Sequence, residues 1–314
     1  MRQIEISGNQ GGQRFDKFLQ KYLKEATKSF IYKMLRKKNI TLNGKKAQGN
    51  EKLNAGDTVV FFFSEETLQK FCGDFPENKG KRQADFPIIY EDDQILLINK
   101  PAGLLSQKAK PQDVSLVELV QQYVKGEPGF SPGICNRLDR NTSGIVVAGK
   151  TLAALQKMSE LFRTREVEKY YLAIVKGRMT EKKEVEGYLL KDEKKNKVTV
   201  SREEKKGSSY IKTGYEPLVS TKEMTLLRVH LMTGKPHQIR SHLSSLGHPV
   251  AGDAKYGGAH PGIRWQLLHA YELQFPGLEA PFERISGKTF CAPVPECFYE
   301  KNIPAEIIEK LKQY

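Results

Sequence analysis

The sequence is poor in cysteine, contains a single tryptophan and has no long apolar run. Its four cysteines form no CxxC pair, and we interpret them as free buried thiols rather than as a disulfide framework or a zinc site. No stretch approaches the roughly 18 apolar residues of a membrane-spanning helix. The opening MRQIEISGNQ lacks the apolar core of a signal peptide, so a cytoplasmic protein is expected.

Motifs for a bound cofactor are also missing. The chain has no glycine-rich dinucleotide fingerprint, no phosphate-binding P-loop and no run of metal ligands. His237 and His242 are five residues apart and would point about 140° away from each other on one helix, which argues against a shared metal ion. An enzyme with this sequence is therefore expected to use side chains alone, with no metal and no small-molecule cofactor.

Positive charge is in excess. The 51 Lys and Arg residues outnumber the 37 Asp and Glu residues, which gives a net charge of +14. Such a chain fits a polyanionic partner, nucleic acid before a membrane surface, and a merely basic protein is the alternative. Residues 14–60 carry 12 basic and 4 acidic side chains, a net of +8. More than half of the excess charge therefore lies in one short block.

The basic block has the pattern of a small module. Apolar residues at helical spacing predict a first helix: Phe15, Phe18, Leu19, Tyr22 and Leu23. A second helix, capped by Ser29, follows with a basic outer face. Two strands, ITLNG and TVVFFF, complete the module. We predict the module at residues 1–63, a polar linker at 64–86 and a larger domain at 87–314.

The larger domain mixes strands and helices without a βαβ period. FPIIYEDDQILLINKPAG predicts two strands around a polar turn, YYLAIV a buried strand and TLLRVHL a half-buried one. Residues 152–162 have the apolar spacing of a helix, residues 181–207 the mixed charge of an exposed hairpin, and PAEIIEKLKQY is typical of a terminal helix. The expected class is α+β with a mixed, mainly antiparallel sheet.

The stretch NRLDRNTSG places charged side chains directly before the apolar run IVVA. A carboxylate at such a position, Asp139, is costly unless a partner compensates it. A helix predicted from Pro236 to the residue before Gly247 offers one, because Arg240 carries a fork of N–H donors that matches a carboxylate. We predict that Arg240 pairs with Asp139, keeps it charged and orients it. A purely structural ion pair is the alternative.

These stretches resemble the RluA/RluC/RluD family of RNA pseudouridine synthases. NRLDRNTSG is similar to the family's HRLDxxTSG signature, EKYYLAIVKG to its KxYLAxVxG segment, and TGKPHQIRSHLSSLGHPVAGDAKYG to its TGRxHQIRxHL block. ILLINKPAGLL, LLHAYELQF and FCAPVPECF match further elements in the expected order. The resemblance covers roughly residues 87 to 300 and implies the pseudouridine synthase fold, with RNA as the partner.

The resemblance assigns roles to individual residues. Asp139 matches the family's catalytic aspartate, which attacks C1′ of the ribose or removes the C2′ proton while the uracil turns from an N1 to a C5 linkage. Tyr171 matches the tyrosine that stacks on the uracil and assists proton removal from C5, with Tyr170 on the opposite face of the strand. The alternative is that Tyr171 is a core aromatic and Tyr170 is the tyrosine that faces the substrate. Arg240 matches the basic partner of the aspartate. This isomerisation requires no cofactor.

Further positions match substrate contacts of the family. Arg137 matches an arginine that fills the gap left by a flipped uridine. Asn136 stands where the family usually has His; it keeps a hydrogen-bond donor and acceptor but does not titrate near neutral pH, so a hydrogen-bonding role is expected. Thr142 shapes the loop that carries the aspartate, and His237 and Gln238 of the HQIR motif are assigned to substrate binding.

The basic N-terminal block resembles an S4 RNA-binding domain, an α/β module of the alpha-L type. QRFDKFL is similar to the opening of that domain, and ITLNGKK with LNAGDTV to its close. The chain departs from the pattern at Phe30, where Arg is common after Ser. The residues expected to contact RNA are Arg14, Lys28, Ser29, Lys33, Arg36, Lys37 and Lys45.

The resemblance also bears on the substrate. Family members that carry an S4 module commonly modify large-subunit ribosomal RNA, so this RNA is the expected substrate and transfer RNA is the alternative. A non-catalytic RNA-binding or ribosome-assembly factor is the alternative from another class. A glycoside hydrolase needs a second catalytic carboxylate at a comparable motif, which we do not find. We expect a monomer.

Overall fold

A computed structural model describes residues 1–72, 85–124, 126, 128–192 and 197–314. The chain forms two sheets, and the smaller one has a separate apolar core. Within the described ranges, no helix has the length and apolar character needed to cross a membrane.

The smaller sheet belongs to the basic N-terminal module. Its strands are β1 (Arg2–Glu5), β2 (Ile40–Leu42), β3 (Lys45–Lys46) and β4 (Thr58–Phe61), in the antiparallel order β1-β4-β2-β3. Helices α1 (Phe15–Tyr22) and α2 (Lys28–Arg36) pack on it through their apolar positions, which are buried as expected. Asn43 and Gly44 both have positive φ at the β2–β3 turn, the conformation that an Asn-Gly hairpin requires.

The cap of α2 differs from the expectation. Thr27 precedes the helix, and its side-chain oxygen accepts a hydrogen bond from the Phe30 N–H at 3.2 Å. Ser29 lies inside the helix and is exposed. Thr and Ser are both good caps, and here Thr27 lies three residues before the Phe30 N–H, the spacing at which a cap side chain accepts from the first turn of a helix. The prediction of Ser29 as the cap is wrong.

The range 64–86 contains a helix where a linker was expected. Helix α3 (Glu65–Cys72) buries Leu68 and Cys72 in the core of the N-terminal module. These two apolar side chains lie one turn apart, so they share one face of the helix and fasten it to the module. The rest of the expected linker, residues 73–84, lies outside the described residues.

The larger sheet organises the rest of the chain. Its strands are β5 (Ile88–Glu91), β6 (Ile95–Lys100), β7 (Gly133–Ile134), β8 (Ser143–Gly149), β9 (Glu168–Lys176), β10 (Lys183–Asp192), β11 (Lys197–Ser201), β12 (Ser209–Ser220), β13 (Met224–Leu231), β14 (Leu268–Gln274) and β15 (Thr289–Cys291). The order is β11-β10-β12-β13-β9-β14-β8-β6-β5, with β15 beside β14 and β7 beside β8. The helices are α4 (Leu116–Tyr123), α5 (Leu152–Thr164), α6 (Gln238–Ser245) and α7 (Ala305–Leu311).

The class is α+β with a mainly antiparallel sheet, as predicted. Strands β14 and β8 form a parallel pair, with His269 opposite Ser143 and Ala270 opposite Gly144. Gly144 has φ +113°, and a Cβ at this position would lie 2.2 Å from the Ala270 carbonyl oxygen. Only glycine fits here. It allows β8 to begin immediately after the NRLDRNTS stretch while lying tightly against β14.

Both faces of the large sheet are buried. One face contributes Tyr171, Ala173 and Val175 of β9 to a core that also contains α4 and α6. The other face contributes Leu172 and Ile174 of β9 to a cluster with α7, while α5 covers the same face at β6 and β8. This alternation places Tyr171 on the α6 side of the sheet and its neighbour Tyr170 on the other side.

The N-terminal module is docked on the larger domain through its residues 9–18. Asn9 Oδ1 accepts a hydrogen bond at 2.9 Å from the N–H of Leu152, the first residue of α5. Gln13 Nε2 donates to the Gly129 carbonyl oxygen at 3.2 Å. The ring of Phe18 lies directly over Gly129, where a Cβ would come within 2.2 Å of it. The two parts of the chain therefore meet through both polar and apolar contacts.

All four cysteines are free, as expected, but their environments differ. Cys72 is buried and Cys291 is exposed, while Cys135 and Cys297 are half-buried. The expectation of four buried thiols is therefore wrong for Cys291, which lies on the short β15 at one side of β14.

Candidate active site

A cleft of about 920 Å³ brings together the two polar stretches singled out in the sequence. Asp139 lines it from the loop before β8, His237 from the segment before α6, and Tyr171 from β9. Basic side chains surround it: Arg137, Arg140, Arg163, Arg165, Lys169, Lys191, Lys235 and Lys255. A concave surface of one charge attracts and concentrates a polyanion.

The Asp139 loop is held in place by the segment that follows β6. Ser106 Oγ donates to the Leu138 carbonyl oxygen at 2.8 Å and lies 3.1 Å from the Leu138 N–H, which donates to it. The Gly103 N–H donates to the Arg140 carbonyl oxygen at 2.9 Å, and Arg140 Nε donates back to the Gly103 carbonyl oxygen at 3.0 Å. Both neighbours of Asp139 are thus fixed, so the backbone sets the position of the carboxylate.

A buried lysine at the end of β6 completes this support. Lys100 Nζ donates to the carbonyl oxygens of Pro101, Leu104 and Arg140 at 2.9, 2.9 and 3.1 Å. Burial lowers the pKa of Lys100, and the negative charge of Asp139 opposes this shift. The resulting pKa is about 7. Three donated hydrogen bonds require the ammonium form. Lys100 was not predicted from the sequence, although a lysine that ends the apolar strand ILLINK is a signal for a buried charge.

Arg240 joins two carboxylates. Its Nη1 donates to Asp139 Oδ2 at 2.7 Å, and its Nε and Nη2 donate to the two carboxylate oxygens of Asp253 at 2.6 and 2.9 Å. The predicted contact between Arg240 and Asp139 is therefore present. Burial alone would lower the pKa of the Arg240 guanidinium, but hydrogen bonds and the charges of Asp253 and Asp139 raise it above its ordinary value.

Asp253 is the stronger partner of Arg240, and the sequence analysis missed it. Its side chain is 1% exposed, against 24% for Asp139. It also accepts a hydrogen bond from the Lys255 N–H at 3.1 Å and so caps the short 3-10 turn Ala254–Tyr256. In the sequence, the Gly-Asp pair of VAGDAKYG has the appearance of an ordinary turn. The resemblance of TGKPHQIRSHLSSLGHPVAGDAKYG to a block of the family is the signal that could have found Asp253.

Asp139 has one engaged and one available oxygen. Oδ2 receives the Arg240 bond, whereas Oδ1 lies 3.9 Å from His237 Nε2, too far for a direct hydrogen bond. With the side chain about one quarter exposed, the available oxygen can meet a substrate in the cleft. The bidentate pair with Asp253 fixes the guanidinium, and the guanidinium in turn fixes the rotation of the Asp139 carboxylate.

Tyr171 lies in the cleft, and Tyr170 lies on the opposite face of β9. Tyr171 is 8% exposed, and burial together with the charge of Asp139 raises the pKa of its phenol. Tyr170 instead stacks on His230, with ring centroids 4.6 Å apart, and the Arg228 guanidinium carbon lies 4.0 Å from its ring centroid. The alternation predicted from the strand is therefore correct, and only Tyr171 can face a substrate beside Asp139.

His237 has an unusual backbone. Its φ is +55°, in the left-handed region, so helix α6 begins at Gln238 and not at Pro236 as predicted. Its Nδ1 lies 2.8 Å from the Tyr256 hydroxyl, and its Nε2 points toward Asp139. Burial lowers the pKa of His237; the charge of Asp139 opposes this, and those of Arg240 and Lys255 add to it.

Comparison with known proteins identifies the family. The model for RNA pseudouridylate synthase matches residues 94–245, and the S4 domain model matches residues 13–59. The chain is 33% identical over 293 residues to ribosomal large subunit pseudouridine synthase C of Vibrio vulnificus, across 89% of this chain and 90% of that protein. The chain belongs to the RNA pseudouridine synthase family. It is an isomerase, as the resemblance implied.

Other relatives agree. Ribosomal large subunit pseudouridine synthase C of Escherichia coli is 33% identical over 307 residues, across 89% of this chain and 92% of that protein. Among solved structures, human RNA pseudouridylate synthase domain containing 4 matches with a TM-score of 0.57 at 24% identity, across 72% of this chain and 92% of that chain. This likeness shows the shared fold.

Asn136 and Thr142 support the synthase loop from within the protein. Asn136 Nδ2 donates to the Ile145 carbonyl oxygen at 3.2 Å, and its Oδ1 accepts from the Val147 N–H at 2.8 Å, so the amide fastens the loop to β8. Thr142 is 2% exposed and accepts a hydrogen bond from Gln266 at 2.7 Å. Both residues border the cleft, but the structure directs their polar atoms to protein partners.

Gln238 has a similar position. It is 2% exposed, and its Nε2 donates to Thr213 Oγ1 at 2.9 Å while its Oε1 accepts from Thr233 Oγ1 at 2.9 Å. Gln238 lines the cleft, but its side-chain amide joins α6 to β12. Arg137, in contrast, is exposed and lines the cleft.

All seven residues expected to contact RNA in the S4 domain are exposed. Five of them lie on or next to α2: Lys28, Ser29, Lys33, Arg36 and Lys37. Arg14 is held by Asp16, with Nε–Oδ1 at 3.0 Å and Nη2–Oδ2 at 3.1 Å. Phe30, which replaces the common Arg, packs on Phe71 of α3 with ring centroids 4.4 Å apart. At this position an apolar ring contact attaches α3 to α2.

Within the described residues there is no group of three or more His, Cys, Asp or Glu side chains that could hold a metal ion. His242, far from forming a pair with His237, is buried on the opposite side of α6 and contacts Thr213 at 3.4 Å.

Proposed function

We propose that this chain converts specific uridines of large-subunit ribosomal RNA to pseudouridine, using Asp139 as the catalytic residue and no cofactor. The observation that carries the proposal is a carboxylate with one oxygen held by a buried arginine and the other open to a basic cleft. Within an RNA pseudouridine synthase, that oxygen is placed to act on the ribose.

The chemistry balances without a bound group. The C1′–N1 bond of uridine breaks, the uracil turns, C5 bonds to C1′, the C5 proton leaves and N1 gains a proton. Asp139 Oδ1 either attacks C1′ and is later displaced when C5 bonds to C1′, or removes the C2′ proton as the C1′–N1 bond breaks, which gives a glycal, and returns that proton to C2′ when C5 bonds to C1′. Arg240 orients the carboxylate for either step. Deuterium at C2′ separates the two, because only the glycal route breaks that bond and gives a primary isotope effect.

Tyr171 acts on the base. Its ring shares the cleft with Asp139 and provides a platform on which an extruded uracil can stack. The raised pKa keeps the phenol protonated at neutral pH, so stacking and hydrogen bonding are its main contributions. Tyr171→Phe keeps the ring and should retain most of the activity. A loss above a hundredfold would assign the hydroxyl to proton removal from C5.

The substrate follows from the relatives and from the charge of the chain. The relatives from Vibrio vulnificus and Escherichia coli are both named for the large ribosomal subunit, and each aligns over about nine tenths of its length. The exposed basic face of α2 supports a second RNA contact at the S4 domain. We therefore assign Lys28, Lys33, Arg36, Lys37 and Lys45 to phosphate binding.

The deciding experiment measures pseudouridine on unmodified bulk RNA, separated into ribosomal and transfer fractions. Sites are located by a chemical label that stops reverse transcription at pseudouridine. Wild type should mark discrete uridines in large-subunit RNA, and Asp139→Asn should mark none. Asp93→Asn is the matched control, because its side chain is 90% exposed in a surface turn.

The other outcomes are equally informative. Label confined to transfer RNA would replace the ribosomal substrate with the alternative one. RNA binding without any label, on naked RNA and on assembling particles alike, would support a non-catalytic assembly factor. Activity retained by Asp139→Asn would refute the assigned role of the aspartate.

A further inference from the structure

Tyr256 contacts His237 and Arg240, which line the cleft, and Val198 of β11. It is 4% exposed and ends the short 3-10 turn that Asp253 caps. Its hydroxyl lies 2.8 Å from His237 Nδ1 and accepts a hydrogen bond from the Val198 N–H of β11 at 3.1 Å. Its ring lies beneath the guanidinium of Arg240, with 5.0 Å between the guanidinium carbon and the ring centroid.

The contact with Val198 bears on the direction of the hydrogen bond between Tyr256 and His237. A backbone N–H can only donate, so the Tyr256 oxygen is the acceptor of the Val198 bond. The hydroxyl hydrogen is then available for an acceptor, and within the described residues His237 Nδ1 is the one that it contacts. We assign Nδ1 as the acceptor of this hydrogen, and the tautomer measurement described below tests the assignment. A neutral imidazole that accepts at Nδ1 carries its proton at Nε2.

The Nε2–H group is directed at the reacting carboxylate. His237 Nε2 and Asp139 Oδ1 are 3.9 Å apart. A hydroxyl oxygen can lie about 2.8 Å from both atoms, accept from Nε2–H and donate to Oδ1. This pair of contacts needs a group that is both donor and acceptor, which the ribose 2′-hydroxyl is. The 2′-hydroxyl is bonded to C2′, next to the C1′ atom at which Asp139 acts.

We propose that Tyr256 is a positioning residue that fixes His237 as an Nε2–H donor, and that this donor and Asp139 Oδ1 together bind the 2′-hydroxyl of the target uridine. The proposal rests on the proposed function for the identity of the substrate. It gives the left-handed backbone of His237 a purpose, because that conformation turns the ring between Tyr256 and Asp139. Burial also lowers the pKa of His237, which favours the neutral ring.

The first test needs no activity and so separates this proposal from the proposed function. The tautomer of His237 is read from ¹⁵N NMR of histidine-labelled protein, with His237→Gln to assign the signals among the six histidines. Wild type should show Nε2 protonated and Nδ1 unprotonated. Tyr256→Phe should give a mixture of tautomers. A wild-type ring protonated at Nδ1 would overturn the proposal.

The second test uses two strands that differ in one atom. The kcat/KM for an RNA with uridine at the target should fall about tenfold in Tyr256→Phe, the effect expected for one lost hydrogen bond. The inhibition constant of the same strand with 2′-deoxyuridine at the target should change less than twofold, because it has no 2′-hydroxyl to lose. An equal effect on both strands would indicate general damage and refute the specific role.

Two further variants complete the design. His237→Gln presents an amide N–H that needs no tautomer, so adding Tyr256→Phe to it should cost nothing more in kcat/KM. A full tenfold loss in that double variant would contradict the route through His237. Tyr170→Phe is the matched control: it also removes a tyrosine hydroxyl, but on the face of β9 away from the cleft, and should leave both constants unchanged.

Discussion

Asp139 and Asp253 bind the same guanidinium, yet their substitution by Asn should have opposite consequences. Asp253 is almost fully buried and makes both bonds of a bidentate pair, whereas Asp139 is about one quarter exposed and makes a single bond. Removing one partner of a buried ion pair costs about 3–5 kcal/mol. Because Asn keeps one acceptor oxygen, we expect about 3 kcal/mol for Asp253→Asn.

The corresponding cost at Asp139 is smaller. Arg240 retains the charge of Asp253, and Asn at position 139 can still accept one hydrogen bond, so the loss should be about 1 kcal/mol or less. Activity should show the reverse order. Asp139→Asn removes the reacting oxygen and should abolish pseudouridine formation, whereas Asp253→Asn only loosens Arg240 and should lower kcat by roughly tenfold.

The assay can be confined to the catalytic domain. The single tryptophan, Trp265, lies against Gly103 beside the Asp139 loop, so its fluorescence in urea follows the unfolding of this domain. Asp93→Asn provides the control for an exposed carboxylate. If Asp139→Asn destabilised the domain as much as Asp253→Asn, the division into an anchoring and a reacting carboxylate would be wrong.

Three other predictions follow from the structure. Asn136→His should keep kcat within about tenfold, because an imidazole has one donor and one acceptor for the two bonds to β8; a loss of a hundredfold in turnover would show that Asn is specifically required. Burial lowers the pKa of His242 and His269 to about 4, so the unfolded chain takes up protons that the folded chain excludes, and stability should fall as the pH drops from about 6.5 toward 4. The free energy of unfolding should change by up to about 1.4 kcal/mol per pH unit for each histidine. In urea titrations at pH 7, 6 and 5, His269→Gln should reduce this dependence on pH by about half. An unchanged dependence would contradict the assignment. The double variant Lys33→Ala, Lys37→Ala should raise the KM for RNA and leave kcat unchanged. The slope of log KM against log salt concentration should decrease by about one for each lysine removed. An unchanged KM would show that α2 does not contact the RNA.

Local patterns predicted the parts of the site that depend on periodicity and charge. The alternation of a strand placed Tyr171 and Tyr170 on opposite faces, and the cost of a carboxylate before an apolar run pointed to Arg240 as the partner of Asp139. The first prediction depends only on the alternation within one strand, and the second on one strong carboxylate–guanidinium interaction. The fold class was also predicted from local patterns, since strands and helices alternate along the chain without a βαβ period.

The parts that were not predicted depend on three-dimensional neighbours. The amides of Asn136 and Gln238 can serve a substrate or a backbone equally well, and only the folded chain shows that they are used internally. Asp253 forms the better half of the Arg240 interaction from a turn that looks unremarkable in the sequence. The start of α6 was misplaced because Pro236 is a common first helical residue, whereas the left-handed backbone of His237 is not visible in the sequence.

The docking of the S4 domain on the catalytic domain bears on the distance between two RNA-contacting surfaces, the basic face of α2 and the cleft around Asp139. Asn9 binds the start of α5 and Phe18 fills the space over Gly129, so the S4 domain with the basic face of α2 is attached to the domain that carries Asp139. An RNA that contacts both surfaces must have its two contact points separated by a matching distance. We expect one base pair inserted between the two contacts to move the modification to another nucleotide, whereas a change of base identity within the span leaves it in place. We therefore expect the distance between the two contacts to contribute to the selection of the target uridine.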